Sequence, residues 1–299
     1  MLQPATEHRN PATACLDTLP PADGARHLFD GQVAALNAVE PVLPLLAEAG
    51  LAMAATIRSG GRLIYAGAGS SGLMAAADAL ELSGTFGIAP SQIAILMAGG
   101  LPVSVAMPGA PEDDIAAGQD AAGGIHATDC VIAVAASGST PYTVAVAQTA
   151  AARGATVVAV ANIPNAPLFQ PARLSICLKT PAECVAGSTR MGAGTAQKTA
   201  LNIMSTVMGI ALGHVHDGLM VNVRADNEKL HHRAAQIVAR IGGCAPGAAA
   251  PYLTAASGEV KVAILLAAGA PSASDAHALL QAADGHLREA LAHLPRPCP

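Results

Sequence analysis

In a 299-residue chain with only 12% charged residues, two groups of carboxylates and two groups of hydroxyls are equipped for chemistry. Asp78 and Glu81 stand at i, i+3, on one face of any helix that carries them. Glu112-Asp113-Asp114 follows Pro111, where acidic residues serve either as helix-terminal partners or as proton-transfer groups. Carboxylates brought from two strand ends are suited to moving protons on a bound sugar. The hydroxyls lie in Gly67-Ala-Gly-Ser70-Ser71-Gly72 and in Ser137-Gly138-Ser139-Thr140-Pro141. Glycines let backbone N–H groups approach an anion, hydroxyls donate to it, and a following helix offers its positive N-terminus. Two such loops point to a phosphorylated small molecule.

Other polar stretches are less committed. Gly187-Ser188-Thr189-Arg190 through Gln197-Lys198 precedes a long apolar segment. Ser188 and Thr189 either cap that helix or meet phosphate and sugar hydroxyls, with Arg190 and Lys198 supplying positive charge. Asn222 to Leu230 is densely polar, and Asp226 or Asn227 can cap the helix that follows. His231 and His232 are adjacent, so they point about 100° apart on a helix and make a poor metal pair. No metal site is expected. Ser137 is not in a GxSxG elbow, which argues against a hydrolase triad.

The loops need strands beneath them. Apolar runs predict strands at 62–66, 93–98, 130–135, 156–161 and 174–178, the third and fourth almost continuously apolar, as strands buried on both faces are. Helices are expected at 72–82, 112–122, 141–153 and 190–212, after a helical stretch at 27–58 broken near Pro41 and Pro44. Strand–helix alternation argues a doubly wound α/β sheet of about five strands, with both hydroxyl loops at its carboxyl edge, where ligands bind. Past residue 242 the texture changes to three short helical patterns at 246–256, 258–268 and 272–292.

Composition sets the class. Hydrophobic residues make up 52% and aromatics 2%, without a single Trp. No apolar run is free of Gly, Pro or polar interruption for the length of a membrane span. A net charge of −5 does not favour nucleic acid. No secretory signal is evident at the N-terminus. Cys15, Cys130, Cys177, Cys184, Cys244 and Cys298 are scattered without CxxC spacing, as core thiols in a reducing cytoplasm are.

Read together, several stretches resemble one family. Thr6-Glu7-His8-Arg9-Asn10-Pro11 resembles an N-terminal Thr-Glu-x-Arg-Asn-Pro. Asp78-Ala-Leu-Glu81-Leu-Ser-Gly-Thr85-Phe86-Gly87 is similar to Asp-Ala-Ser-Glu-Cys-Pro-Pro-Thr-Phe-Gly. Ala136-Ser137-Gly138-Ser139-Thr140-Pro141-Tyr142 is similar to Ala-Ser-Gly-Arg-Thr-Pro-Tyr. Gly61–Gly72, Gly187–Lys198 and the run from Leu219 to Leu230 complete the set. These stretches resemble the N-acetylmuramic acid 6-phosphate etherases, sugar isomerase (SIS) domain proteins related to the glucokinase regulatory protein.

The resemblance implies a SIS-type three-layer αβα sandwich with a five-stranded parallel sheet, plus a small C-terminal helical unit. It divides the chain into an N-terminal arm and helices (1–58), a sugar-phosphate domain (59–242) and a helical unit (243–299). It implies cleavage of the lactyl ether of N-acetylmuramate 6-phosphate to N-acetylglucosamine 6-phosphate and D-lactate, by elimination and hydration, without a cofactor. Glu81 matches the proton-donating glutamate. Glu112 matches the second acidic position, with Asp113 as an additional acid/base candidate. Ser70, Ser71, Ser137, Ser139, Thr140, Ser188, Thr189, Arg190 and Lys198 would hold phosphate and sugar. A cytoplasmic homodimer is implied. Leu73, Ser139 and Gly192 stand where the family carries basic residues. A non-catalytic sugar-phosphate regulator and a sugar-phosphate isomerase are the alternatives on the same fold.

Overall fold

The computed structural model describes residues 7–105, 107, 109–225 and 227–294. Thr6, Asp226 and Cys298, named above, lie outside them. Five parallel strands, β1 (Leu63–Gly67), β2 (Ile93–Met97), β3 (Cys130–Val134), β4 (Thr156–Ala161) and β5 (Leu174–Cys177), form one sheet in the order β2-β1-β3-β4-β5. Every residue of β1 and β3 is buried. From β1 the chain goes to β2 on one side and then to β3 on the other. The carboxyl ends of β1 and β3 therefore flank the point where the winding reverses, and a crevice opens there.

Helices cover both faces. The eleven helices among the described residues begin with α1 (Pro21–Leu36), α2 (Leu43–Arg58), α3 (Gly69–Phe86), α4 (Ile115–Ala121), α5 (Pro141–Ala152) and α6 (Gly192–Ala211). Ile64, Ala66, Val131 and Ala133 point to one side and pack with Tyr142, Val146 and Ala150 of α5. Tyr65 points to the other and bonds Asp78 of α3. The core is built from Ala, Val, Ile and Leu, which lets helices approach the sheet closely.

By length and composition alone the stretch Pro21–Arg58 would cross a membrane. A 3₁₀ turn at Asn37–Val42, containing Pro41, splits it into two sixteen-residue helices. Each reaches only about 24 Å, short of a bilayer core. Helix α2 buries Leu46, Ala49, Met53 and Ala54 and contacts β1, β3 and β5, as a core helix does.

Contacts divide the chain into two units, residues 1–79 with 91–206 and residues 80–90 with 207–299, so the cuts fall inside α3 and α6. In the second unit a two-stranded hairpin, β6 (Val215–His216) and β7 (Leu219–Met220), precedes α7 (Glu228–Gly242), α8 (Ala249–Ala255), α9 (Val260–Ala267), α10 (Ala273–Ala282) and α11 (Leu287–Ala292). Helix α7 packs against α8 and α9. The sequence segmentation at 242/243 instead separates α7 from them. Asn227 caps α7, its side chain accepting from the Leu230 N–H at 3.0 Å, and Gly243 closes it in the left-handed conformation.

Candidate active site

The first hydroxyl loop needs glycine where it meets β3. A Cβ on Gly67 would lie 2.9 Å from the Gly72 Cα and 3.0 Å from the Val134 carbonyl oxygen. The loop thus lies directly on β3. Ser70 and Ser71 open α3, and the buried Ser71 hydroxyl accepts the Ala136 N–H at 3.2 Å. That bond ties the first loop to the second. In the second loop Gly138 takes φ +60°, and a Cβ there would fall 2.3 Å from the Ala166 Cβ. The Ser137 hydroxyl accepts from the Ser139 N–H at 3.3 Å and from the Ser139 hydroxyl at 3.1 Å. Thr140 is the N-cap of α5 with its hydroxyl free of capping duty, and Pro141 follows. Five predicted binding residues, Ser70, Ser71, Ser137, Ser139 and Thr140, are therefore gathered at the carboxyl edge of two adjacent strands. Thr143, in the first turn of α5, carries a fully buried hydroxyl without a hydrogen-bond partner among the described residues. Its place inside a helical pattern gives no signal of this in the sequence.

Glu112 joins this edge. Gly69 takes φ +51°, and a Cβ on it would lie 2.7 Å from the Glu112 Oε1. The carboxylate thus rests against the first loop, beside a small cavity of about 40 Å³ bordered by Met97, Gly99, Gly100 and Met107. Burial, reinforced by the neighbouring Asp113 charge, raises its pKa. A carboxylate so placed is a stronger base than one in water. Asp113 is exposed. Asp114 instead caps α4, accepting the Ala117 N–H at 2.9 Å.

Asp78 and Glu81 part company. Asp78 is 2% exposed, whereas Glu81 is exposed. Asp78 accepts from Tyr65 Oη at 2.9 Å, Asn202 Nδ2 at 2.8 Å and Ser205 Oγ at 3.1 Å, and the Lys198 Nζ stands 3.8 Å away. Burial raises its pKa, against the lowering pull of these partners. Lys198 thus stands beside a carboxylate nine residues down α3 from Gly69, about 13 Å along the axis. Glu81 is twelve residues from Gly69, about 18 Å along the same helix.

The 187–198 stretch also differs from expectation. Neither Ser188 nor Thr189 caps α6. The buried Glu183 does, its two oxygens accepting the Gly192 and Ala193 N–H groups at 2.9 Å each. That carboxylate holds the helix N-terminus an anionic ligand would otherwise favour. Ser188 and Thr189 remain half-buried in the preceding turns, and Arg190 is exposed without an ion pair among the described residues. The N-terminal arm docks here. Asn10 donates to the Ala182 carbonyl, Thr13 to the Cys184 carbonyl, and the Glu7 carboxylate is so close that a Cβ on Gly187 would lie 2.9 Å from it. Beyond β4, Asn162 accepts from the buried Gln197 side chain at 2.8 Å and donates to Thr180.

Residues 34–162 match the SIS domain. A putative phosphosugar isomerase involved in capsule formation from Bacteroides fragilis superposes with a TM-score of 0.49 at 19% identity, covering 67% of this chain and 95% of that one. The N-acetylmuramic acid 6-phosphate etherase of Streptomyces avermitilis is 42% identical over 294 residues, 97% of this chain and 94% of its own. That of Deinococcus radiodurans is 41% identical over 288 residues, 96% of this chain and 94% of its own. Identity of that order over almost the full length of both chains means that the chain belongs to the N-acetylmuramic acid 6-phosphate etherase family.

Proposed function

We propose that the chain cleaves the lactyl ether of N-acetylmuramate 6-phosphate, releasing D-lactate and N-acetylglucosamine 6-phosphate. The observation that carries this reading is the Glu112 carboxylate lying against Gly69, at the head of a loop suited to phosphate. The open-chain aldehyde acidifies the proton at C2. Glu112 takes that proton, the C3–oxygen bond breaks, and the lactate oxygen receives a proton from Glu81. Water then adds across the C2–C3 double bond, its hydroxyl at C3 and a proton at C2. The reaction is a carbon–oxygen lyase step in the catabolism of a cell-wall amino sugar. Hydroxyls of Ser70, Ser71, Ser137, Ser139 and Thr140, with backbone N–H groups, hold the phosphate far from the reacting carbons and orient the sugar. Proton transfer by positioned carboxylates contributes about 10²–10⁴-fold.

The enzyme works as a homodimer. Phe29, Val33 and Leu36 form an exposed apolar stripe at i, i+4, i+7 along α1, as an interface with a second copy would use. In this reading the two carboxylates acting on one sugar come from two copies, Glu112 of one and Glu81 of the other. A cytoplasmic setting agrees with Cys15, Cys130, Cys177, Cys184 and Cys244 all being free.

Purified protein supplied with the substrate in ¹⁸O-water should release D-lactate and label the C3 hydroxyl. Absence of lactate would sink the reading. Glu81→Gln and Glu112→Gln should each be inactive, and mixing them should restore activity through heterodimers. No recovery on mixing would put both roles in one chain. Light scattering at a monomer mass would remove the dimer.

A further inference from the structure

We infer that the hairpin and α7 of the second unit form a separate binding site for a small organic acid with an apolar body. A cavity of about 260 Å³ lies between Leu219 and Met220 of β7 and Arg233, Gln236, Ile237 and Arg240 of α7. Arg233 and Arg240 are seven residues apart, so they occupy nearly the same side of the helix about 10 Å apart along it. Gln236 and Ile237 lie between them. The wall therefore presents a guanidinium at each end and an apolar floor of Leu219, Met220 and Ile237.

Neither guanidinium has a hydrogen bond or ion pair among the described residues. The nearby carboxylate, Asp217 at the hairpin turn, is bonded to Arg288 instead, and Arg240 acts on it only through space. The Gln236 amide is engaged by His232 at 2.9 Å. In a chain with 16 basic residues in all, two unpaired ones bordering one apolar cavity call for an anion. The hairpin holds its shape without a ligand. Asp217 and Gly218 take positive φ at the turn, Val215 pairs with Met220, and the Asp217–Arg288 pair anchors the turn to α11.

The lining selects among anions. A sugar needs partners for its hydroxyls, and this floor supplies none. An aromatic or branched carboxylate buries its body on Leu219, Met220 and Ile237 while its acid meets the guanidiniums. The volume equals about nine water molecules at ~30 Å³ each, room for a ring with a short acidic arm.

Phenylacetate and phenyl phosphate are suitable probes, titrated calorimetrically against the full chain, Arg233→Gln/Arg240→Gln, Met220→Gln and Glu112→Gln. Saturable binding at one site per chain is expected for the wild type and for Glu112→Gln. The double arginine variant should weaken it about tenfold or more, since each charge-assisted hydrogen bond counts for that much. Met220→Gln, which leaves both charges in place, should weaken it less but measurably. N-acetylglucosamine 6-phosphate should not displace phenylacetate. Absence of saturation by about 10 mM, weaker than any useful affinity, would overturn the site. So would binding that survives the arginine changes, or that is displaced by the sugar phosphate.

Discussion

Replacing Asp78 by Ala should be among the most destabilising single changes in the first unit. The carboxylate is 2% exposed and receives three hydrogen bonds, from Tyr65, Asn202 and Ser205, with Lys198 3.8 Å away. Alanine leaves the buried Tyr65 hydroxyl without an acceptor and the Lys198 charge without a partner. Stranding a buried donor costs about 1–3 kcal/mol, and three donors lose their acceptor here, while the partly exposed Lys198 is solvated and adds little. Asparagine is a different case. Its oxygen can still accept from Asn202 and Ser205 and its amide can donate to the Tyr65 oxygen, but the Tyr65 O–H loses its acceptor, so the loss should be about 1–3 kcal/mol, below that for alanine. The two variants also separate the cost of ionisation. Burial lifts the Asp78 pKa above its unfolded value. Its contribution to wild-type stability is therefore fullest below the unfolded pKa and declines as pH rises through the raised one, while Asp78→Asn is flat across that window. Urea unfolding followed by circular dichroism measures both, the chain having no Trp to report by fluorescence. A loss below about 1 kcal/mol for Asp78→Ala, or an acid-range slope unchanged in Asp78→Asn, would refute the reasoning.

Gly69→Ala puts a Cβ 2.7 Å from the Glu112 Oε1 and demands a left-handed alanine, so stability should fall by about 1–2 kcal/mol and lactate release should drop far more than that loss explains. Asp113→Asn removes the charge that, after burial, raises the Glu112 pKa, so the acidic limb of the pH–rate profile should move to lower pH; a limb that stays put or moves up would detach Glu112 from the base role. Glu183→Ala uncaps the Gly192 and Ala193 N–H groups and should lower stability by about 1–2 kcal/mol in a thermal scan, with Glu183→Gln keeping part of it.

The sheet was legible because parallel strands buried on both faces must be continuous apolar runs, and each of the five strands lies within one residue of its expected ends. The positions of both hydroxyl loops followed from the strands, since a strand end fixes a loop. Tertiary partners were not legible. Asp78 and Glu81 share a helix face in a one-dimensional reading, yet only Asp78 meets Tyr65, Asn202 and Ser205, two of which arrive from α6. Nothing in the sequence around Lys198 announces Asp78, 3.8 Å from its Nζ. Glu183 sits nine residues before the helix it caps, outside any local capping pattern, so hydroxyls nearer in sequence drew the assignment. The position of Glu112 after the second strand places it near a strand end and the resemblance gives its role, but its contact with Gly69 was not legible, because spacing does not encode it.

The bond from the Ala136 N–H to the Ser71 hydroxyl has a consequence for anyone remodelling this protein. It fixes the heights of the two loops above the sheet relative to each other. A graft that lengthens or exchanges either loop alone would break the match at the other, even with every ligand-facing residue retained. The pair is the smallest transplantable piece, together with the Gly67–Gly72 crossing that lets the first loop lie flat. Substrate range in chimaeras should accordingly follow the joint origin of residues 67–72 and 136–141 rather than either loop by itself.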